Sequence, residues 1–224
     1  MGRPSMSEEA IIRNKISIIS AAQEMIRKDG IQSVSARSLG MQVGMNSALI
    51  YRYFKDIDEV ILFACVHVLQ EYTRELTEAT RALESGTKGV SDREIYMLSW
   101  ELFSRHAFSN PEEYNTLFFS RHSAGLSDVV TEYYKLFPHD RNPAEDDIIL
   151  EGMYRSSNLR SRNLMLLIPV LEGRKTNREI ILINDMTVSL FFALLTQLIG
   201  KDKGVTAESQ TARMLEACDF TLNL

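Results

Sequence analysis

The sequence predicts an all-α protein of about nine or ten helices, in which an N-terminal three-helix module precedes an α-helical body. Apolar residues recur at the three- and four-residue spacing of amphipathic helices, and no segment alternates convincingly with a period of two. Cap residues and prolines mark most of the helix starts. No internal repeat or low-complexity tract is visible in the 224 residues.

The first helix is predicted to begin after Ser7 and to end at Asp29-Gly30. Ser7 is a good cap residue, and the two glutamates after it favour the positive end of the helix dipole. A glycine directly after the last apolar position is a common stop signal. The apolar stripe of this helix comprises Ile12, Ile16, Ile19, Gln23 and Ile26, widened by Ala22 and Met25.

Residues 30–54 have the layout of two short helices joined by a tight turn. Ser35 can cap the first helix and Asn46 the second, while Gly44 gives the turn its backbone freedom. Gly40 would let the two helices cross closely. The pattern points Ala36, Leu39, Gly40, Val43, Leu49 and Ile50 inward, places Met45 in the angle between the helices, and points Ser47, Tyr51 and Tyr53 to solvent. In a helix-turn-helix the second helix enters the DNA major groove, so this stretch predicts DNA binding.

The remaining helices follow from cap and proline signals. Asp56 and Glu59 resemble a capping box that opens one long helix, 57–83, and Ser91 with Glu94 forms a second box. Proline at the first helical position follows Asn110 and again Asn142. The predicted helices are 57–83, one from Ser91 to about 108, one from Pro111, 127–137, one from Pro143 to about 156, 158–171 with a disturbance at Pro169, 177–199, and 207–222 capped by Thr206.

Charge is distributed unevenly along the chain, whose net charge is −5. Residues 1–58 contain eight Lys/Arg and six Asp/Glu, whereas the other 166 residues contain seventeen and twenty-four. This fits a small DNA-contacting module on an acidic body. Because the basic excess is modest, DNA binding would depend on dimerisation and on a few well-placed groups.

The sequence favours a cytoplasmic protein without a membrane span. Cys65 and Cys218 are the only cysteines and form no C-x-x-C pair, which fits a reducing compartment. The N-terminus is polar rather than apolar, unlike a signal peptide. Residues 180–199 are apolar but contain six polar side chains, which favours a buried interface helix over a span.

The helix-turn-helix stretch resembles the TetR family of transcriptional regulators. Gly30, Ser35, Arg37, Leu39, Gly44 and the run 49–54 carry the resemblance, which covers roughly the first 65 residues. It implies a homodimeric repressor that binds a palindromic operator and is released by a small-molecule effector, with no cofactor or catalytic activity. Residues 1–55 would bind double-stranded DNA, and residues 56–224 would dimerise and sense the ligand.

A different class of protein, an α-helical enzyme or small-molecule carrier whose N-terminal helices only pack, is the alternative. The sequence contains no G-x-S-x-G motif, no H-E-x-x-H motif, and no glycine-rich phosphate loop after a strand. Cys65 and His67 point to different faces of a helix, unlike metal ligands. Glu112-Glu113 sits just inside a helix start, where the dipole already explains acidic residues.

The positions matching the family's DNA-facing sites lie on both helices of the pair and just beyond them. Arg37 has a bidentate fork suited to guanine or phosphate, and tyrosine hydroxyls can reach phosphates. Family members usually carry a lysine where this chain has Ile57, so Lys55 or Arg52 would have to replace that phosphate contact. The predicted DNA-binding residues are Arg3, Ser35, Arg37, Asn46, Ser47, Tyr51, Arg52, Tyr53 and Lys55, with Arg3 either in the minor groove or in a free tail.

The resemblance also implies an effector cavity among the middle helices and a dimer interface on the last two. Large apolar side chains there are either core or cavity wall; the candidates for the wall are Met97, Trp100, Phe103, Phe118, Met153 and Tyr154, with Tyr133 and Met165 as further large groups. Helix 177–199 is apolar around most of its circumference and therefore needs cover on two sides. The predicted interface residues are Val188, Phe191, Phe192, Leu195, Met214 and Leu215.

Overall fold

A computed structural model describes residues 7–85, 89–141 and 158–224. The all-α prediction is confirmed: no strand occurs in these ranges. The helix predicted from Pro143, and with it Met153 and Tyr154, lies outside the described residues, as does Arg3. The helices are α1 (Glu8–Asp29), α2 (Ala36–Gln42), α3 (Ser47–Ile50), α4 (Ile57–Cys65), α5 (Val68–Glu84), α6 (Asp92–Ser109), α7 (Pro111–Phe119), α8 (Leu126–Leu136), α9 (Leu159–Leu171), α10 (Asn177–Ile199) and α11 (Ala207–Leu222).

Side-chain caps fix most of the helix starts at the predicted residues. Ser7 accepts a hydrogen bond from the Ala10 amide, and reciprocal capping boxes open α2 at Ser35, α6 at Ser91 and α11 at Thr206. A further box at Thr176, which the sequence reading overlooked, opens α10. Local signals of this kind determine boundaries because they satisfy amides that a helix start leaves unpaired.

Two predictions about helix starts and faces were wrong in detail. Asn110 does not cap α7, because its side-chain amide donates to the His106 carbonyl behind it. In α1, Ile12 is 42% exposed while Ile18 is fully buried. The first two turns of α1 are largely uncovered, so the buried face begins only at Ile18.

The predicted helix 57–83 is divided into α4 and α5. Val66 and His67 keep right-handed helical dihedral angles. The backbone hydrogen bonds here, however, join residues three apart rather than four, as from the Leu69 amide to the Val66 carbonyl. The His67 ring also contacts the Ala64 carbonyl at 2.6 Å. At the start of α4, Asp56 caps the Glu59 amide as predicted, yet the Glu59 carboxylate accepts from the Lys55 amide, so no reciprocal box forms.

The helix-turn-helix module and the body meet at α4. Helices α1 and α2 pack together, α1 packs on α4, and α4 packs in turn on α7 and α8. Helix α6 is central in the body, where it contacts α5, α7, α9, α10 and α11. Rings from these helices pack around Phe103 at centroid distances of 5.1–5.8 Å; they belong to Tyr72, Trp100, Tyr114, Phe118 and Phe191.

Helix α10 is the one described helix long and apolar enough to cross a membrane by length and composition. In its most apolar window, 44% of the residues are buried inside the protein. This is weak evidence for a span, because the core helix of a folded protein meets the same criteria.

Candidate DNA interface and ligand cavity

Helices α2 and α3 cross closely because Gly40 has no side chain. A Cβ atom built on Gly40 would lie 2.7 Å from the Met45 carbonyl oxygen and 3.2 Å from the Ser47 amide nitrogen. The Met45 amide donates to the Gly40 carbonyl at 2.8 Å, which ties the turn to α2. Gly44 has a φ of +66°, a left-handed conformation that most other residues avoid.

The second helix of the pair is short and is held at its C-terminal end. After Ile50 the chain continues in single turns, with the Phe54 amide donating to the Ile50 carbonyl at 3.1 Å. Ile50 and Phe54 are buried, and the Phe54 ring packs edge-on against Phe63 of α4 at 5.5 Å. The position of α3 is therefore coupled to α4.

The predicted DNA-binding residues fall into two groups. Ser35, Arg37, Asn46, Tyr51, Arg52 and Lys55 are exposed, whereas Ser47 and Tyr53 are half-buried. Tyr53 was expected to face solvent; its hydroxyl instead accepts a 2.7 Å hydrogen bond from the Asn14 amide of α1. Ser35 and Asn46 both cap helices, so their side chains already have structural roles.

The start of α4 is acidic rather than basic. Ile57, which replaces the lysine usual in the family, is half-buried against the core. Arg121 forms an ion pair with Asp58, and the Lys55 ammonium lies 3.7 Å from a Glu59 oxygen. The exposed basic side chains of the helix-turn-helix are therefore few: Arg37 on α2, and Arg52 and Lys55 in the segment after α3.

Polar contacts join α1 to α8 in the body. The Lys15 ammonium lies 2.5 Å from Glu132 and 5.5 Å from the centre of the Phe54 ring. Gln23 donates to the Tyr133 hydroxyl at 3.0 Å, and that hydroxyl donates to Asp140 at 2.6 Å. Tyr133, one of the large groups considered for the cavity, is thus part of the junction between module and body.

A cavity of about 30 Å³ lies between α5, α6 and α9, with room for about two water molecules. Its wall consists of Tyr72, Ser99, Trp100, Phe103, Leu159, Arg162, Asn163 and Leu166. The Trp100 indole donates to the Asn163 side-chain oxygen at 2.8 Å, and the Asn163 amide donates to Asn184 of α10 at 2.9 Å. Within the described residues, the buried hydroxyl of Ser99 has no hydrogen-bond partner.

Burial keeps the titratable hydroxyls and the thiol in this part of the core in their neutral form. Burial raises the pKa of the Tyr96 and Tyr114 hydroxyls well above the usual range, and it raises the pKa of the Cys218 thiol to about 12. No cluster of three or more histidine, cysteine or acidic side chains suited to a metal occurs in the described part of the chain.

Of the predicted cavity residues, the structure places Trp100 and Phe103 in the wall. Phe118 lies behind it, with its ring 4.9 Å from the Arg162 guanidinium carbon. Met97 is half-buried outside the wall, and Met165 is exposed on the outer side of α9. The sequence reading did not anticipate Tyr72, Ser99, Leu159, Arg162, Asn163 or Leu166. The available signal was the polar run 160–163, which contains Arg162 and Asn163, at the start of a helix that is apolar from Leu164 onward.

The predicted dimer residues are mostly covered within one protomer. Val188, Phe191, Leu195 and Met214 are at most 1% exposed, and Leu215 is half-buried. Only Phe192 is substantially exposed, at 40%. Besides Phe192, the large apolar side chains that α10 and α11 leave exposed are Ile181, Leu182, Met186 and Phe220.

Comparisons with known proteins agree with this geometry. Residues 18–63 match the family described as bacterial regulatory proteins, tetR family. A search of curated protein sequences finds no significant match.

Three solved structures share the fold along nearly the whole chain. RolR in complex with the ligand resorcinol is 14% identical, covers 96% of both chains and has a TM-score of 0.57. A putative TetR-family transcriptional regulator from Rhodococcus sp. is 15% identical over 94% of this chain and 99% of its own, with a TM-score of 0.54. A TetR transcriptional regulator from Rhodococcus sp. RHA1 is 15% identical over 97% and 98%, with a TM-score of 0.50. The family match over residues 18–63 and the shared fold confirm the resemblance seen in the sequence: the helix-turn-helix module matches the TetR-family model, and the chain is similar in fold to solved TetR-family regulators.

Proposed function

We propose that this protein is a homodimeric repressor that a small molecule releases from a palindromic operator. Residues 1–55 form the DNA-binding domain, and residues 56–224 form the ligand-binding and dimerisation domain. The observation that carries the proposal is the position of Tyr72. It lines the cavity from α5, and α5 continues the chain directly from α4, against which the recognition helix packs.

DNA recognition is assigned to the exposed side chains of the helix-turn-helix. Arg37 and Tyr51 project from α2 and from the end of α3, and Tyr51 is 53% exposed. Arg52 and Lys55 supply phosphate contacts that the half-buried Ile57 cannot make. Ser35 and Asn46 add side-chain oxygens at helix starts, secondary to their capping roles.

Dimerisation is assigned to the exposed face of α10, together with Phe220 of α11. Leu182, Met186, Ser189 and Ala193 follow one another at helical spacing, and all four are exposed. Leu182 and Phe220 are 58% and 64% exposed. An isologous contact would bury this face against its own copy, with the small Ser189 and Ala193 allowing close approach. This face replaces four of the predicted interface residues, because their side chains are buried in the core of their own protomer: Val188, Phe191, Leu195 and Met214.

The proposed ligand release starts at the cavity wall. A ligand bound there would press on Tyr72 of α5 and on the facing residues of α9. Movement of α5 reaches α4 through Val66-His67, where three-residue hydrogen bonds replace the regular helical pattern. Movement of α4 shifts both recognition helices and changes the separation of the two half-site contacts.

The rival function is an enzyme or carrier that does not bind DNA. TetR-family regulators are generally non-enzymatic, and we propose no catalytic activity for this chain. We also propose that it acts in the cytoplasm without a membrane partner.

Selection of bound sequences from a random double-stranded DNA pool tests the proposal. We expect a palindromic consensus, a band shift by nanomolar protein at physiological salt, and a ratio of two protomers per site. Tyr51→Ala should lose the selected fragment, while Arg74→Ala, which changes an exposed arginine of α5, should not. Recovery of no consensus, with binding independent of sequence, would contradict the regulator assignment.

A further inference from the structure

The outer face of the recognition helix begins at an alanine. Among the four residues of α3, Ala48 alone is exposed. Tyr51 and Arg52 follow it by three and four positions and are also exposed, so the three side chains lie on one side of this segment. In a helix-turn-helix the early residues of the second helix contact base edges in the major groove. Ala48 therefore occupies a position that reads bases.

The side of α3 on which Ala48 lies is fixed by backbone contacts. A Cβ atom built on Gly40 would lie 3.2 Å from the Ser47 amide nitrogen and 3.4 Å from the Ser47 Cα, so the start of α3 lies directly against α2. The Ala48 amide also donates to the Asn46 side-chain oxygen at 2.9 Å. A rotation of α3 that buried Ala48 would break both contacts. The alanine side chain therefore stays on the outer side of the helix pair.

Asn46, which precedes α3, is committed to its cap. The bidentate contact of an asparagine with adenine needs the side-chain oxygen to accept from the N6 amino group while the side-chain amide donates to N7. Here that oxygen accepts from the Ala48 amide instead. Base reading at the start of α3 is therefore left to the exposed side chain of Ala48, which neither donates nor accepts a hydrogen bond.

An alanine methyl group recognises one feature of the major groove. Thymine carries a C5-methyl group on the groove surface, with which alanine makes an apolar contact. The other bases present amino, carbonyl and ring-nitrogen groups there. A methyl group placed against those groups displaces their water without supplying a hydrogen bond, which costs free energy. Alanine at this position therefore favours thymine over the other three bases.

We infer that Ala48 is a specificity-determining residue, which selects one thymine in each operator half-site by contact with the C5-methyl group of that base. The inference rests on the proposed function in taking α3 as the helix that enters the major groove. It predicts the same T·A pair in both half-sites of the palindrome. It also predicts that affinity falls when this thymine loses its methyl group.

Uracil substitution measures the methyl contact directly, because uracil lacks only the C5-methyl group of thymine. We would replace each thymine of the selected operator in turn, in both half-sites together, and titrate each duplex with the full-length protein. At one position the affinity should fall about threefold per half-site. Replacement of that T·A pair by 5-methylcytosine with guanine should cost less affinity than replacement by cytosine with guanine. An operator in which no uracil substitution weakens binding would overturn the inference.

Variants at position 48 assign the contact to Ala48. Ala48→Gly should bind the thymine and uracil duplexes equally at that position. Ala48→Ser should relax selection there when the random pool is selected again, because a hydroxyl group contacts more than one base. The matched control is Ala82→Gly, a change at an exposed alanine near the end of α5, which should keep the full thymine-to-uracil ratio.

The outcomes separate this inference from the proposed function. Recovery of no consensus sequence would refute the regulator assignment and the inference together. A palindromic consensus with a full thymine-to-uracil ratio in folded Ala48→Gly would keep the regulator and refute the role of Ala48. If Ala48→Gly does not fold, Ala48→Ser decides, and unchanged selection at every position by that variant would refute the role of Ala48.

Discussion

Gly40→Ala is the most direct test of the helix-turn-helix geometry. The added Cβ would lie 2.7 Å from the Met45 carbonyl oxygen, and ordinary contact begins at 3.4 Å, so the two must separate by about 0.7 Å. The opposing atoms are backbone atoms of the turn and cannot rotate away as a flexible side chain would. The substitution must therefore displace the start of α3.

The expected loss of stability is modest, and the expected loss of DNA affinity is larger. Overpacking of this kind costs about 1–3 kcal/mol, and alanine returns up to about 1 kcal/mol of helix propensity in α2. The free energy of unfolding should therefore fall by about 0–2 kcal/mol. Displacement of the recognition helix affects every base contact together, so affinity for the selected DNA should fall at least tenfold, about 1.4 kcal/mol.

Urea unfolding and DNA band shifts on the same preparation measure the two effects. Gly125→Ala is the matched control, because nothing lies within 4 Å of its added Cβ and its φ is −91°. Gly44→Ala is a second comparison: it meets no atom but is strained at a φ of +66°, at about 1–2 kcal/mol. If Gly40→Ala binds the selected DNA as tightly as the wild type, the close crossing does not position the recognition helix.

The remaining predictions concern the two surfaces assigned by exposure. Arg37→Ala and Tyr51→Ala should each reduce affinity for the selected DNA at least tenfold with unchanged unfolding; unaltered binding in both would mean that the recognition surface is elsewhere. Lys55→Ala should weaken binding about equally on all sequences and lower the salt-dependence slope by about one, as measured by titration at several salt concentrations. Leu182→Glu should give monomers in sedimentation at micromolar concentration without loss of helix content. Phe191→Ala, by contrast, should destabilise each protomer by about 3–5 kcal/mol, because that ring is fully buried in the core. A dimer that survives Leu182→Glu would mean that the interface does not include this face of α10.

Helix boundaries were predictable because their signals are local. The sequence predicted 177–199 from its apolar residues and 207–222 from the Thr206 cap and apolar residues, and these ranges are the bounds of α10 and α11. The turn at Gly44 and the close crossing at Gly40 were likewise expected from residue type alone. A cap or a left-handed glycine acts within a few residues, so no knowledge of distant packing is needed.

The direction in which an apolar face points was not predictable in the same way. Helix α10 is apolar around most of its circumference, and its own core could have covered either Phe191 or Leu182. The structure buries Phe191 among the rings of α6 and leaves Leu182 outside. The burial of Arg162 has the same origin, because only tertiary packing against Phe118 shows that this arginine of α9 does not face solvent.

The arrangement of contacts supports the proposal that the recognition helix responds to a cavity that it does not touch. Phe54, at the end of the recognition segment, packs on Phe63 of α4, and the Lys15 ammonium lies above both rings while paired with Glu132 of α8. Lys15 of α1 thus contacts the end of the recognition segment, α4 and α8 at one point. The recognition helix therefore has a preferred position relative to the body, and a displaced position costs several contacts together. Coupling of this kind favours two discrete arrangements over continuous bending, and a ligand need only bind one of them more tightly to change the occupancy of DNA.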